Sequence, residues 1–215
     1  MSKDHIEQLK TPLITDMNRR QFVTNSLAAG IILPTALAMT GNAVAGAHKA
    51  GGKFRLGMGH GSTTDSLDPG TSENGMSQNV IFAYCNHLTE VSKEGQLIPE
   101  LASEYGASAD AKVWTFKIRS GVTFHDGKPL TPADVVGSFK FHMGEDTKSA
   151  GKALLADVTD IKINGDDVVF TLSNGSADFA FIVSDYHFPI LPVRDGQLDW
   201  ASGIGTGGYI MENYE

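Results

Sequence analysis

The chain has almost no cysteine. A single thiol among 215 residues, Cys85, excludes an internal disulfide and a cysteine-built metal cluster, and a lone thiol is expected to pack as a small apolar side chain. Basic charge is scarce as well: 17 Lys and Arg stand against 25 Asp and Glu, for a net charge of −8. No basic patch with interleaved aromatics occurs, so no nucleic-acid partner is expected. There is no Gly-x-Ser-x-Gly elbow. His48, His60, His87, His125, His142 and His187 are scattered without ligand spacing, so no metal and no cofactor are expected.

One further absence is local. From Gln21 to His48 no Asp, Glu, Lys or Arg occurs, and just ahead of it Asn18-Arg19-Arg20-Gln21-Phe22-Val23 resembles a twin-arginine export motif carried by Arg19, Arg20 and Phe22. Asn18, Val23 and Thr24 depart from the Ser/Thr, Leu and Lys usual in that motif. Ser26 to Met39 forms the apolar core of such a signal, and Ala43-Val44-Ala45 fits its small-x-small cleavage pattern. Residues 1–45 therefore read as a signal peptide. Gly30, Pro34 and the Thr- and Asn-rich flank make a poor membrane span, which needs about 20 predominantly apolar residues. No cysteine near the cleavage point could take a lipid, so a soluble periplasmic product is expected.

What the chain does have is concentrated between Val113 and Met143. Trp114, Phe116 and Ile118 alternate with Thr115, Lys117 and Arg119, the period of a strand with one face buried. His125-Asp126-Gly127-Lys128-Pro129 is a cluster of turn formers. Thr131 is a good N-cap, Pro132 suits the first helical position, and Asp134 can answer both the cap and the helix dipole. Val135, Val136, Phe139 and Met143 then follow at helical spacing. The run Trp114 to Arg119, then Gly121-Val122, Phe124-His125-Asp126-Gly127, Leu130-Thr131, Ala133-Asp134-Val135-Val136 and Ser138-Phe139 resembles the signature of dipeptide-, oligopeptide- and nickel-type solute-binding proteins of ABC importers. Ser66-Leu67-Asp68-Pro69, Pro99-Glu100-Leu101-Ala102 and Gly205-Thr206-Gly207-Gly208-Tyr209 extend that resemblance over nearly all of residues 53–215. Tyr105 stands where the family usually has Trp, and Gly208 where it has Pro.

The resemblance implies a mixed α/β, type II periplasmic-binding-protein clamshell of which only the first lobe is present. Its layout would place the first part of the lobe I sheet domain at 46–90, an inserted small α/β subdomain at 91–199, and the return to the lobe I sheet at 200–215. It also implies a monomeric receptor, not an enzyme, that binds short peptides and delivers them to the ABC permease subunits after passing the twin-arginine translocase. A nickel chelate, haem or glycoside is the alternative solute.

Periodicity supplies the remaining elements. Phe54, Leu56 and Met58 alternate as a first strand. Met76, Val80, Ile81 and Tyr84 form a helical stripe, and His87 to Val91 is a short strand before a turn at Lys93-Glu94-Gly95. Pro99, Leu101, Ala102 and Tyr105 read as a short helix, and a further one is expected around Lys152 to Asp157. Ile161 to Leu172 folds as a hairpin about Asn164-Gly165. Asp178 starts a short helix through Ile182, and Tyr209-Ile210-Met211 begins a strand.

Four stretches could carry chemistry. His125-Asp126 reads as turn chemistry rather than an acid/base pair, because sequence neighbours on an extended chain face opposite ways. Ser184-Asp185-Tyr186-His187 contains the letters of a hydrolase triad, but a triad needs groups converging from separate elements. Read as extended, it puts Asp185 and His187 on one face and Tyr186 on the other, lining a cleft. Gly203-x-Gly205-x-x-Gly208 matches a dinucleotide fingerprint literally, without the strand before it or the helix after it, and is read as a crossover. Glu73-Asn74-Gly75-Met76 lies in the loop where the resembled family meets its peptide. The candidate ligand-binding residues are therefore Glu73, Asn74, Gly75, Met76, Asp185, Tyr186 and His187, with no catalytic residue.

Overall fold

Alternation of Trp114, Phe116 and Ile118 builds the strand around which the molecule is organised. The computed structural model describes residues 51–214, and the export motif and its cleavage point lie outside them. From Gly57 onward the chain forms one compact unit. A four-stranded antiparallel sheet in the order β3-β4-β6-β5 is made by β3 (Ala102–Ala107), β4 (Val113–Ile118), β5 (Val158–Asn164) and β6 (Asp167–Leu172). The β5–β6 hairpin pairs Asn164 with Asp167 and turns through Gly165 at φ +63°, a conformation glycine reaches without steric cost.

One face of this sheet is covered by α2 (Pro132–Met143) and α3 (Phe179–Ile182). Phe116, Phe139, Phe170, Phe179 and Phe188 are all buried there, with Phe139 edge-on to Phe170 at 4.9 Å. The start of α2 follows its sequence signals. Asp134 accepts from the Thr131 backbone N–H at 2.9 Å and the Thr131 hydroxyl at 2.7 Å. Its other oxygen takes the Lys128 ammonium at 2.6 Å and the Val193 N–H at 2.8 Å. A carboxylate 1% exposed is tolerable only because it is met by a cation and three further donors.

A second apolar cluster gathers Leu67, Ile81, Tyr84, Cys85 and Leu191, with Trp200 and Met211 against it. It is anchored by α1 (Gly75–Tyr84), whose N-cap is Asn74. Two small hairpins complete the unit: β1 (Thr89–Val91) with β2 (Leu97–Pro99), and β7 (Val193–Arg194) with β8 (Gln197–Leu198).

Five expectations are corrected. The short helix expected from Pro99 through Leu101, Ala102 and Tyr105 is instead the end of β2 followed by β3, an edge strand whose register slips between Ala102 and Glu104. That bulge breaks the period-two pattern, so Leu101, Ala102 and Tyr105 mimic helical spacing. The segments Phe54-Leu56-Met58 and Tyr209-Ile210-Met211 carry no strand, since neither finds a ladder partner among the described residues. The helix expected at Lys152–Asp157 is a 3-10 turn over Ala150–Leu155. Finally, Ser184 to His187 is a turn and not an extended run.

Candidate ligand-binding site

The loop leading into α1 is ordered by its own short polar side chains. Asn74 accepts with its carbonyl oxygen from the N–H groups of Met76 and Ser77, both at 3.0 Å, and donates with its amide nitrogen to Asp65 at 2.7 Å. Asn74 is thereby committed to capping the helix. Glu73 beside it is 59% exposed, and a Cβ placed on Gly75 would meet nothing within 4 Å. Met76 is half-buried.

Ser184 to His187 closes on itself because Asp185 is an Asx-turn former. Its Oδ1 accepts from the His187 backbone N–H at 3.0 Å and lies 2.7 Å from the ring Nδ1. The other ring nitrogen, Nε2, reaches Glu73 Oε1 at 3.4 Å across 114 residues of sequence. Burial alone would lower the His187 pKa. The hydrogen bond and charge of Asp185, joined by Glu73, more than offset it and raise the pKa above the ordinary histidine value. Asp185 is held correspondingly low, its burial outweighed by the His187 bonds. The Tyr186 ring lies over the imidazole at 4.1 Å.

Glu73, Asp185, Tyr186 and His187 thus come together, with Gly75 and Met76 beside them. Two carboxylates around one imidazole form an acceptor-rich surface suited to ammonium and amide N–H groups. The triad reading has no geometry behind it: the Ser184 hydroxyl donates to the Phe181 carbonyl at 2.7 Å, while both His187 ring nitrogens face carboxylates. Among the described residues no group of three or more His, Cys, Asp or Glu could hold a metal ion. No helix among them is long and apolar enough to cross a membrane.

The profile of the bacterial extracellular solute-binding proteins, family 5 Middle, matches residues 96–215. The chain belongs to this family. Its relatives include the probable peptide ABC transporter periplasmic-binding protein y4tO of Sinorhizobium fredii, 29% identical over 73% of this chain and 28% of that protein. Among solved structures it resembles the periplasmic binding protein AgaA of A. tumefaciens in complex with agropinic acid, with a TM-score of 0.64 and 25% identity over 70% of this chain and 31% of that one. Haemophilus influenzae OppA in complex with the peptide RPPGFSPFR superposes with a TM-score of 0.63 at 21% identity, over 70% of this chain and 34% of that one. The mixed α/β fold is therefore that of the type II periplasmic binding proteins, and the chain spans about a third of the length of these proteins.

In this family member the Phe-His-Asp-Gly turn has a visible mechanical task. His125 Nε2 donates to the Gly207 carbonyl at 2.9 Å while Nδ1 accepts the Gly205 N–H at 3.3 Å. The Gly205–Gly207 segment is strapped in this way onto the end of α1, where Gly207 N–H also bonds the Tyr84 carbonyl at 2.9 Å. A Cβ on Gly205 would stand 2.0 Å from the Tyr84 oxygen, so the glycines serve close backbone approach rather than a nucleotide. Asp126 is spent on the turn, accepting the Lys128 N–H at 3.0 Å and pairing with Arg194.

Sequence reasoning missed His87. It is 2% exposed, its ring lies 5.1 Å from that of Phe82, and its Nε2 has no hydrogen-bond partner. A lone histidine in an apolar stretch gives no periodic signal. Only the fold, which lays Glu100 and Leu101 against His87, brings that carboxylate to its backbone N–H at 2.6 Å.

Proposed function

We propose that the chain is part of a periplasmic receptor of an ABC importer, exported through a twin-arginine signal at 1–45, which binds short peptides and hands them to the membrane permease. The convergence of Glu73, Asp185 and His187 carries this reading: an acceptor-rich, partly exposed cluster beside the open backbone at Gly75 suits a peptide's ammonium terminus and amide N–H groups. The names of y4tO and of the OppA complex support a peptide, whereas the agropinic acid in AgaA favours a non-peptide solute as the second reading. We keep the division into a first sheet segment at 46–90, an inserted subdomain at 91–199 and a return at 200–215, with one lobe of the clamshell in hand. The separation of the cluster around Ile81 from that around Phe116 supports it.

Binding energy in a clamshell comes from closure of two lobes over a dehydrated ligand. If half of a micromolar free energy of about −8 kcal/mol resides in this part, the affinity is roughly millimolar. Titrating a di- and tripeptide pool into the chain should give saturable shifts of the His187 and Tyr186 resonances at that concentration. Shifts confined to other residues would remove the site assignment, and micromolar affinity would remove the one-lobe reading.

Export has its own test. Replacing Arg19 and Arg20 together by Lys should leave the protein in the cytoplasm at precursor length, because the twin-arginine route reads guanidinium pairs that an ammonium does not reproduce. Normal periplasmic accumulation of the double variant would refute that route.

A further inference from the structure

His87 lines a chamber of about 380 Å³ together with Phe82, Cys85, Thr89, Glu90 and Glu100. A second hollow of about 420 Å³, bounded by Val91, Phe181, Ile182, Asp178 and Asp185, shares Phe82, Val91 and Ser184 with it. The two form one groove with an apolar body and an acidic rim. Phe82, Val91 and Phe181 are 53%, 46% and 45% exposed, four carboxylates line the groove, and no Lys or Arg does.

The unpartnered imidazole nitrogen makes this more than a surface hollow. His87 Nδ1 lies 3.9 Å from Glu100 Oε2, beyond a hydrogen bond but near enough for the carboxylate to favour the tautomer with the proton on Nδ1 and the lone pair on Nε2. Native proteins rarely leave such an atom without a donor, and the chamber is far larger than one water needs. Burial holds this histidine neutral, its pKa pushed down to about 4 despite the nearby Asp185 charge, so the lone pair persists at neutral pH. Nε2 is closed to water, and the Phe82 ring, half exposed at the wall of the chamber, lies beside the imidazole at 5.1 Å.

We propose that this groove is a second ligand site, one that takes a small amphipathic amine: the ammonium donates to His87 Nε2 and pairs with Glu90 and Glu100, while the apolar body lies along Phe82, Val91 and Phe181. The acidic, lysine-free lining repels an anion, and the aromatic pair attracts a cation further through the ring faces. The groove adjoins the peptide cluster at Asp185 and Tyr186, and the two readings stay distinguishable because the peptide reports at His187 and the amine at His87.

Phenethylamine is the probe, with hydrocinnamate as its anionic counterpart and phenethyl alcohol as its neutral one, each titrated into the full chain at about pH 7.5 while the imidazole nitrogen resonances are followed. The amine should shift His87 Nε2 saturably, the alcohol should bind at least about tenfold more weakly, and the acid should leave the resonance unmoved. His87→Leu, which fills the same space without the lone pair, should abolish amine binding detected at the Phe82 ring. Glu90→Gln, at an exposed position that spares the fold, should weaken it several-fold. Equal binding of amine and acid, equal binding of amine and alcohol, unchanged affinity in the folded His87→Leu protein, or no shift up to roughly 50 mM amine would each overturn the proposal.

Discussion

Trp114→Ala is expected to destabilise the protein by about 3–5 kcal/mol, the range for deleting a large buried aromatic. The indole is 7% exposed. It lies nearly parallel to Phe116 at 6.2 Å and tilted against Phe179 at the same distance, so its removal opens a void in the aromatic layer that joins β4 to α3. Its Nε1–H also donates to the Ser176 carbonyl at 3.1 Å, an acceptor that alanine leaves without its donor. Against a total stability of about 5–15 kcal/mol, a loss of that size unfolds a marginal domain. Thr115→Ala, on the opposite face of the same strand, should stay within about 0.5 kcal/mol. Urea titrations of both variants decide the matter: a Trp114→Ala loss below about 1 kcal/mol would show that the layer repacks without it.

That contrast between adjacent residues was readable in the sequence because β4 has water on one side and core on the other, and the same holds for the β5–β6 hairpin and for α2 with its Thr131 and Asp134 signals. β3 was not readable, because an edge strand with a bulge has no stretch of regular alternation long enough to show its period. Phe54-Leu56-Met58 fails for a different reason. Alternation records which face would be buried, but a strand exists only beside a neighbour, and Phe54 and Leu56 are 86% and 62% exposed. The site is legible in pieces and not in assembly. Glu73 and the Asp185–His187 pair are each suggestive locally, yet their meeting depends on how the loop before α1 lies against the segment after α3. The extended reading of Ser184 to His187 overlooked that Asp185 can cap its own turn, a local hydrogen bond that competes with any strand.

Acid should unfold this protein earlier than its carboxylates alone would. His87 and His142 are both buried, and burial pushes the pKa of each down to about 4; at His142 the neighbouring His187 charge adds to the effect. His142 is further held by the Ser149 hydroxyl at 2.5 Å from Nδ1. A histidine whose folded pKa lies below its unfolded value of about 6.5 binds fewer protons folded than unfolded between those two values. Its contribution is therefore fully present above about pH 6.5 and lost as the pH falls toward about 4. A displacement of this size corresponds to about 3 kcal/mol for each group, on the order of 6 kcal/mol for the pair, which is comparable to the whole stability of a small domain. Two groups oppose the trend. Burial raises the Glu100 pKa despite its bonds from Asn86 and the His87 N–H, so its protonation favours the fold as the pH falls. His187, with its raised pKa, contributes stability that is fully present below about 6.5 and is lost as the pH rises through its folded value. Both are smaller than the loss at two fully enclosed imidazoles. Urea midpoints measured from about pH 7 to about pH 4.5 should fall steeply, and His87→Leu should remove roughly half of the slope while leaving the protein folded at neutral pH. A flat profile across that window would mean that the two rings are protonated or solvated in the native state, and an unchanged slope in His87→Leu would assign the titration to other groups.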